Sequence, residues 1–162
     1  MARVFARKSF NWAFVVILMF AVAGWGTTGF GQVVDASGDS LRGAFNVTIK
    51  FDDPNIPDCV SPTMNTADGG VMSAGCSLAE SAGYGQWIKV SKGNFAVTFV
   101  GQGFDLATGA INTTYKVRAT LAWTSGHSQW AGPFVTDIYL PDGTLIFTAT
   151  GVVTGDRIVA GQ

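Results

Sequence analysis

The stretch NTTYKVRATLAW, residues 112–123, alternates without a break. Thr113, Tyr115, Val117, Ala119, Leu121 and Trp123 share one parity, and Thr114, Lys116, Arg118, Thr120 and Ala122 the other. Successive side chains of a strand face opposite sides, so one flank of this segment is apolar and the other is wetted. Such a segment needs something to cover its apolar flank: a second sheet, a ligand, or the remainder of its own barrel.

The same rhythm recurs along the chain. LRGAFNVTIKFDD sets Leu41, Gly43, Phe45, Val47, Ile49 and Phe51 on one face. QWIKVS, FAVTFVGQGFD and QWAGPFVTDIYL read as further strands, Gly101 and Gly103 allowing a bend and Pro133 marking a bulge or edge. TLIFTATGVVTGDRI ends the chain with Leu145, Phe147, Ala149, Val153 and Arg157 on one parity. Lys92-Gly93-Asn94, LATGAI, TSGHS and Pro141-Asp142-Gly143 are the turns between them. Residues 53–70, DPNIPDCVSPTMNTADGG, hold three of the five prolines and are expected to be irregular, with a strand resuming in GVMSAGCSL. Charged residues make up only 13% and there are 21 glycines, a balance that favours strands and turns over helices. The expectation is an all-β domain of seven or eight antiparallel strands closed into an up-and-down barrel, with a two-sheet sandwich as the alternative.

Residues 1–31 read as a signal peptide. Arg3, Arg7 and Lys8 precede an uncharged apolar run, AFVVILMFAVAGW, and small residues follow. Cleavage is expected between residues 23 and 31, leaving 32–40 as a polar linker and 41–162 as the barrel domain. The alternative is a membrane anchor retained uncut; the apolar core is shorter than the roughly 20 residues a spanning helix needs. Removing the leader takes three of the ten basic residues and none of the eleven acidic ones, which leaves seven against eleven and a net charge of −4. That balance argues against nucleic acid as a partner and against electrostatic docking on an anionic membrane. The expected compartment is extracellular or periplasmic. Cys59 and Cys76 are the only cysteines and are expected to form one disulfide there.

Residues 41–158 resemble a widespread group of small bacterial proteins of unassigned function. The likeness rests on GNFAVTFVGQGFD, GAINTTYKVRATL and GPFVTDIYLPDGTLIFTATGVVTGDRI. It carries no activity with it. A weaker similarity is to the calycins, the lipocalins and fatty-acid-binding proteins. Gly43-Ala44-Phe45 stands where those proteins carry Gly-x-Trp on their first barrel strand, and Arg157 stands near the end of the last strand. The calycin resemblance implies that the Arg157 guanidinium lies on the Phe45 face and closes one barrel end; the alternative is an exposed arginine on a fraying terminus. Phe in place of Trp, and a chain that stops five residues after Arg157 without room for the lipocalin C-terminal helix, are the departures.

Enzyme chemistry is thinly represented. His127 is the only histidine and sits in TSGHS beside Ser125 and Ser128, where a solvated turn is expected rather than a Ser–His dyad. Asp52 and Asp53 adjoin, and adjacent strand carboxylates point apart; a calcium site with Asp58 matches no loop signature. No metal site and no cofactor are expected. Lys116 and Arg118 are expected to pair with acids on neighbouring strands such as Asp137, as surface charge. What remains is the apolar face. Phe45, Phe99, Tyr115, Trp123, Phe134, Phe147 and Arg157 are the candidate interior-lining residues, Tyr115 bringing a phenol that needs a partner. An eight-stranded barrel is wide enough either to be filled by its own side chains or to hold one small ligand. The readings are therefore a secreted barrel that binds a small hydrophobic ligand or is packed solid in a structural role, with a barrel isomerase or cyclase of the allene oxide cyclase or dirigent type as the alternative.

Overall fold

The computed structural model describes residues 40–159 and Gly161; the leader and most of the linker, with their cleavage site, lie outside the described residues. Eight strands follow one another: β1 (Gly43–Phe51), β2 (Cys59–Asn65), β3 (Gly70–Ser73), β4 (Gly83–Ser91), β5 (Asn94–Phe104), β6 (Ile111–Ser125), β7 (Gln129–Tyr139) and β8 (Leu145–Arg157). Each pairs antiparallel with the next, and β1 pairs with β8, so the sheet closes into an up-and-down barrel rather than a sandwich. Closure leaves no open sheet edge. No described helix is long and apolar enough to cross a membrane.

The turns are set locally. Lys92-Gly93 joins β4 to β5 with Gly93 at φ 73°, a region open to glycine at no steric cost. In the β7–β8 connection the Asp142 carboxylate accepts the Thr144 N–H at 2.9 Å. The Asp105 carboxylate does the same for Ala107 and Thr108 between β5 and β6.

The proline-rich segment departs from expectation, because a regular strand, β2, runs through it with Pro62 inside. The N and O of one strand residue face the same side, and the Pro62 carbonyl accepts the N–H of Ala74, just beyond the end of β3. The donor that proline lacks would face Ala74, so the reciprocal bond it forgoes falls just past the paired residues of β3. The resumed strand is also shorter than expected, Gly70–Ser73, because the chain turns away at Gly75 (φ 81°) into the disulfide loop.

Opposed residues in register share a face. Phe45, Val47, Ile49 and Phe51 of β1, Phe95, Val97 and Phe99 of β5, the odd residues from Tyr115 to Trp123 of β6, and Trp130, Phe134, Thr136 and Ile138 of β7 all turn inward. At one end the interior is packed solid with rings. Trp130, Phe45, Trp123, Phe95 and Trp87 form a continuous chain with centroids 5.6–6.1 Å apart, mostly edge to face. Contacts of this geometry contribute about 0.5–1.5 kcal/mol each beyond burial.

Candidate functional site

The ring cluster fills only one end. Above it lies a cavity of about 270 Å³, bounded by Val47, Val97, Val117, Leu121, Phe134 and Val153 along its length and by Ile56, Gly75, Cys76 and Glu80 at the loop end. The apolar flank of the 112–123 segment faces it through Tyr115, Val117, Ala119 and Leu121.

A lumen this rich in large aromatics stays open because several rings lie across a glycine of the neighbouring strand. Tyr115 is in register with Gly101, Trp130 with Gly155 and Phe134 with Gly151. A Cβ at any of the three would come within 2.8 Å of a ring carbon. The Tyr115 and Phe134 rings occupy the space over their glycines at the wall, so Gly101 and Gly151 provide room as well as curvature.

The candidate residues divide into two groups. Phe99, Tyr115, Phe134 and Phe147 line the cavity, Phe147 at 43% exposure. Phe45, Trp123 and Arg157 lie instead in the closure beneath it. Phe45 and Arg157 are partners in the β1–β8 ladder, and the guanidinium carbon sits 4.8 Å above the Phe45 ring and 5.6 Å from that of Trp123. Nε donates to the His127 carbonyl and Nη1 to that of Arg42, both at 3.0 Å. Arg157 is thus held in place rather than frayed. Burial lowers its pKa from the ordinary value, a desolvation cost that the two carbonyls and two rings offset. Gly43 is demanded by the same contact: its φ is 139°, and a side chain there would meet the guanidinium.

His127 lies in the β6–β7 turn as expected, but half-buried there. It adopts φ 66°, its ring packs edge-on against Trp123 at 5.5 Å, and its carbonyl anchors Arg157. Asp52 and Asp53 are taken up locally. Asp52 accepts from the Thr150 hydroxyl at 2.6 Å, and Asp53 accepts from the backbone and side chain of Asn55. Among the described residues no three potential ligands gather into a metal site. Asp137 is more than surface charge. It is only 7% exposed and accepts from Arg118, from Thr148 Oγ1 at 2.9 Å and from the Tyr139 hydroxyl at 3.4 Å.

Cys59 and Cys76 form a disulfide that ties the start of β2 to the 74–82 loop. Such a bond fits an oxidising extracellular or periplasmic environment. Cys76, Gly75 and Glu80 belong to the cavity wall, so the crosslink holds its loop end. Glu80 is committed to the same loop, Oε2 accepting from Cys76 N at 2.9 Å and Oε1 from Ser77 Oγ at 3.3 Å. Tyr115 donates to the Ser81 carbonyl at 2.9 Å. Burial, with Glu80 nearby, raises its pKa to about 12.

Sequence reasoning passed over the polar part of the wall. Ser61, Thr63 and Asn65 of β2 and Ser73 of β3 all face the cavity. The hydroxyls of Ser61 and Ser73 are bonded to each other at 2.8 Å. Asn65 donates through Nδ2 to the Leu41 carbonyl at 3.2 Å, while its Oδ1 is buried without a partner among the described residues. The indole N–H of Trp130, also on the wall, is buried and unpaired as well, as is that of Trp123 below. The signal for these residues is the alternation Cys59, Ser61, Thr63, Asn65, whose sense was hidden because the polar parity is the one turned inward.

No family model and no curated protein matches the chain.

Proposed function

We propose that this protein is exported by cleavage of residues 1–31 and binds a small, largely apolar ligand in the barrel lumen. The observation that carries the reading is the cavity of about 270 Å³, walled by apolar side chains and kept open by ring-on-glycine packing. Mostly apolar concavities with a few placed polar groups are the usual form of small-molecule sites. A barrel serving only as a packed structural element gains stability by filling this volume, since unfilled core space destabilises. The volume sets a scale. An engineered apolar cavity of about 150 Å³ accommodates benzene, so this one accepts on the order of ten non-hydrogen atoms.

The isomerase or cyclase alternative needs an ionisable group free to act against the apolar wall. Glu80 is the one carboxylate on the described wall, and both its oxygens brace the 76–80 loop. Binding is accordingly favoured over turnover.

Native mass spectrometry of the protein exported by its host tests both parts. The expected result is a mature chain beginning between residues 24 and 32 and carrying a dissociable small molecule. An uncut chain refutes export by cleavage. A bare barrel that also refuses apolar probes refutes the binding reading.

A further inference from the structure

We infer that the outer wall of β2–β5 is an interface with a second copy of this chain, the two walls packed face to face about a twofold axis. The inference concerns the outside of the barrel and does not depend on a ligand in the lumen.

Met64, Met72, Tyr84 and Val100 follow one another in direct register across β2, β3, β4 and β5. Their parity is opposite to that of the inward Asn65, Val71, Trp87 and Phe99, and all four are exposed, so they form one row along the outside of the sheet. Ile88 and Val90 continue the face along β4, each 62% exposed. These six side chains leave on the order of 500 Å² open to solvent, near the top of the range for an apolar patch on a monomer. That is more than half of the roughly 800 Å² that each partner gives to a standard interface. The exposed and uncharged Pro62, Gln86 and Thr98 stand among them and extend the wall.

Charge distribution selects the occupant. The charged residues on the outward parity of the strands are Lys50 on β1, Lys116 and Arg118 on β6, Asp137 on β7 and Asp156 on β8. The outward positions of β2–β5 carry none; Lys89, the one charged residue in those four strands, is in register with the inward Phe95. A twofold interface sets each patch against its own image, so a patch of one sign repels itself. With residues 1–31 removed the chain has a net charge of −4, yet this wall meets its copy with no like charges opposed and no ion pair to desolvate. A strongly charged partner finds nothing to pair with here.

The wall of a barrel is convex, so two copies meet first along β3 and β4, where Met72, Tyr84 and Ile88 stand. Met64 at the flank is unbranched and adaptable, which suits it to the gap that curvature leaves. Partial burial on a curved face places the expected Kd in the micromolar range.

The test is sedimentation velocity of the exported, disulfide-intact protein from low micromolar to a few hundred micromolar. A monomer–dimer equilibrium is expected. Ile88→Asp puts a carboxylate on both sides of the twofold axis and should raise Kd about tenfold or more. Val152→Asp, the same kind of change at a 49% exposed position on β8, should leave it within about twofold. Met64 and Met72 are the only methionines after residue 31, so their oxidation by hydrogen peroxide reports on the wall in the unaltered chain. Their oxidation is expected to slow severalfold as the protein becomes dimeric. A chain that stays monomeric throughout overturns the inference. So does a dimer that ignores Ile88→Asp or leaves both methionines reacting at the monomer's rate, because it then pairs through another surface. Protection of the methionines by phosphatidylcholine vesicles, with no dimer in their absence, assigns the wall to lipid and overturns the second copy. The oxidation readout needs no variant, so it decides the matter even if Ile88→Asp does not fold.

Discussion

Replacing Arg157 by Met removes a fork of charge while keeping most of an unbranched apolar stem, and its consequence can be worked from the contacts. Two hydrogen bonds from the guanidinium to backbone carbonyls are lost, each at 3.0 Å. Hydrogen bonds from a charged group contribute about 1.5–3 kcal/mol apiece. The stacking on Phe45 and Trp123, at 4.8 and 5.6 Å, adds roughly 0.5–2 kcal/mol. The sum must be discounted, because the guanidinium is only partly buried, water can serve the freed carbonyls, and Met retains some of the packing. A loss of about 2–3 kcal/mol remains, and for a barrel of this size that lowers Tm by roughly 10 °C. Guanidinium chloride unfolding followed by tryptophan emission measures it, since Trp123 and Trp130 both touch Phe45 in this closure. Arg157→Lys separates charge from geometry: a point charge cannot reach both carbonyls and both rings, so it should recover less than half of the loss. A Met variant within about 0.5 kcal/mol of wild type, or a Lys variant equal to wild type, would refute the view that Arg157 locks this end of the barrel.

Gly101→Ala pushes the Tyr115 ring off the wall into the lumen, and is expected to destabilise by about 1–3 kcal/mol and weaken binding of apolar probes; an unchanged probe affinity contradicts the role given to the glycine. Reducing the Cys59–Cys76 bond, whose partners are 17 residues apart, should cost about 3 kcal/mol in a denaturant titration. Asp137→Ala strips the partner from Arg118 and Thr148 and should cost about 2 kcal/mol, where a surface ion pair would give under about 1. Tyr115 has a folded pKa of about 12 against an unfolded value near 10. Between those values the unfolded chain gives up the proton and the folded one keeps it, so stability is fully present below pH ~10 and falls as pH rises toward ~12. The phenol is half exposed, which limits the effect to about 1–2 kcal/mol, and Tyr115→Phe should flatten that part of the stability profile.

Much of the architecture follows from local pattern. A period of two in the 41–51, 94–104, 112–123 and 145–157 segments fixes which residues can share a face, because the pleat leaves no other choice. Hairpin-length turns such as Lys92-Gly93 and Pro141-Asp142-Gly143 make consecutive strands antiparallel neighbours, and eight of them bring the first strand to the last. The Cys59–Cys76 pairing followed from count alone.

Register and volume belong to the tertiary structure. The apolar parity of β2, Val60 and Met64, is exposed, while Ser61, Thr63 and Asn65 face the lumen. Alternation is visible in CVSPTMN, but its sense is set by Val47 standing opposite Ser61 in the closed sheet, a long-range pairing with no local signature. The opening of the lumen is likewise invisible along the chain. Phe134 and Gly151 are 17 positions apart, and only the β7–β8 register lays the one across the other. Local sterics choose the faces of a strand; the way the strands meet determines which face is inside and how much space is left there.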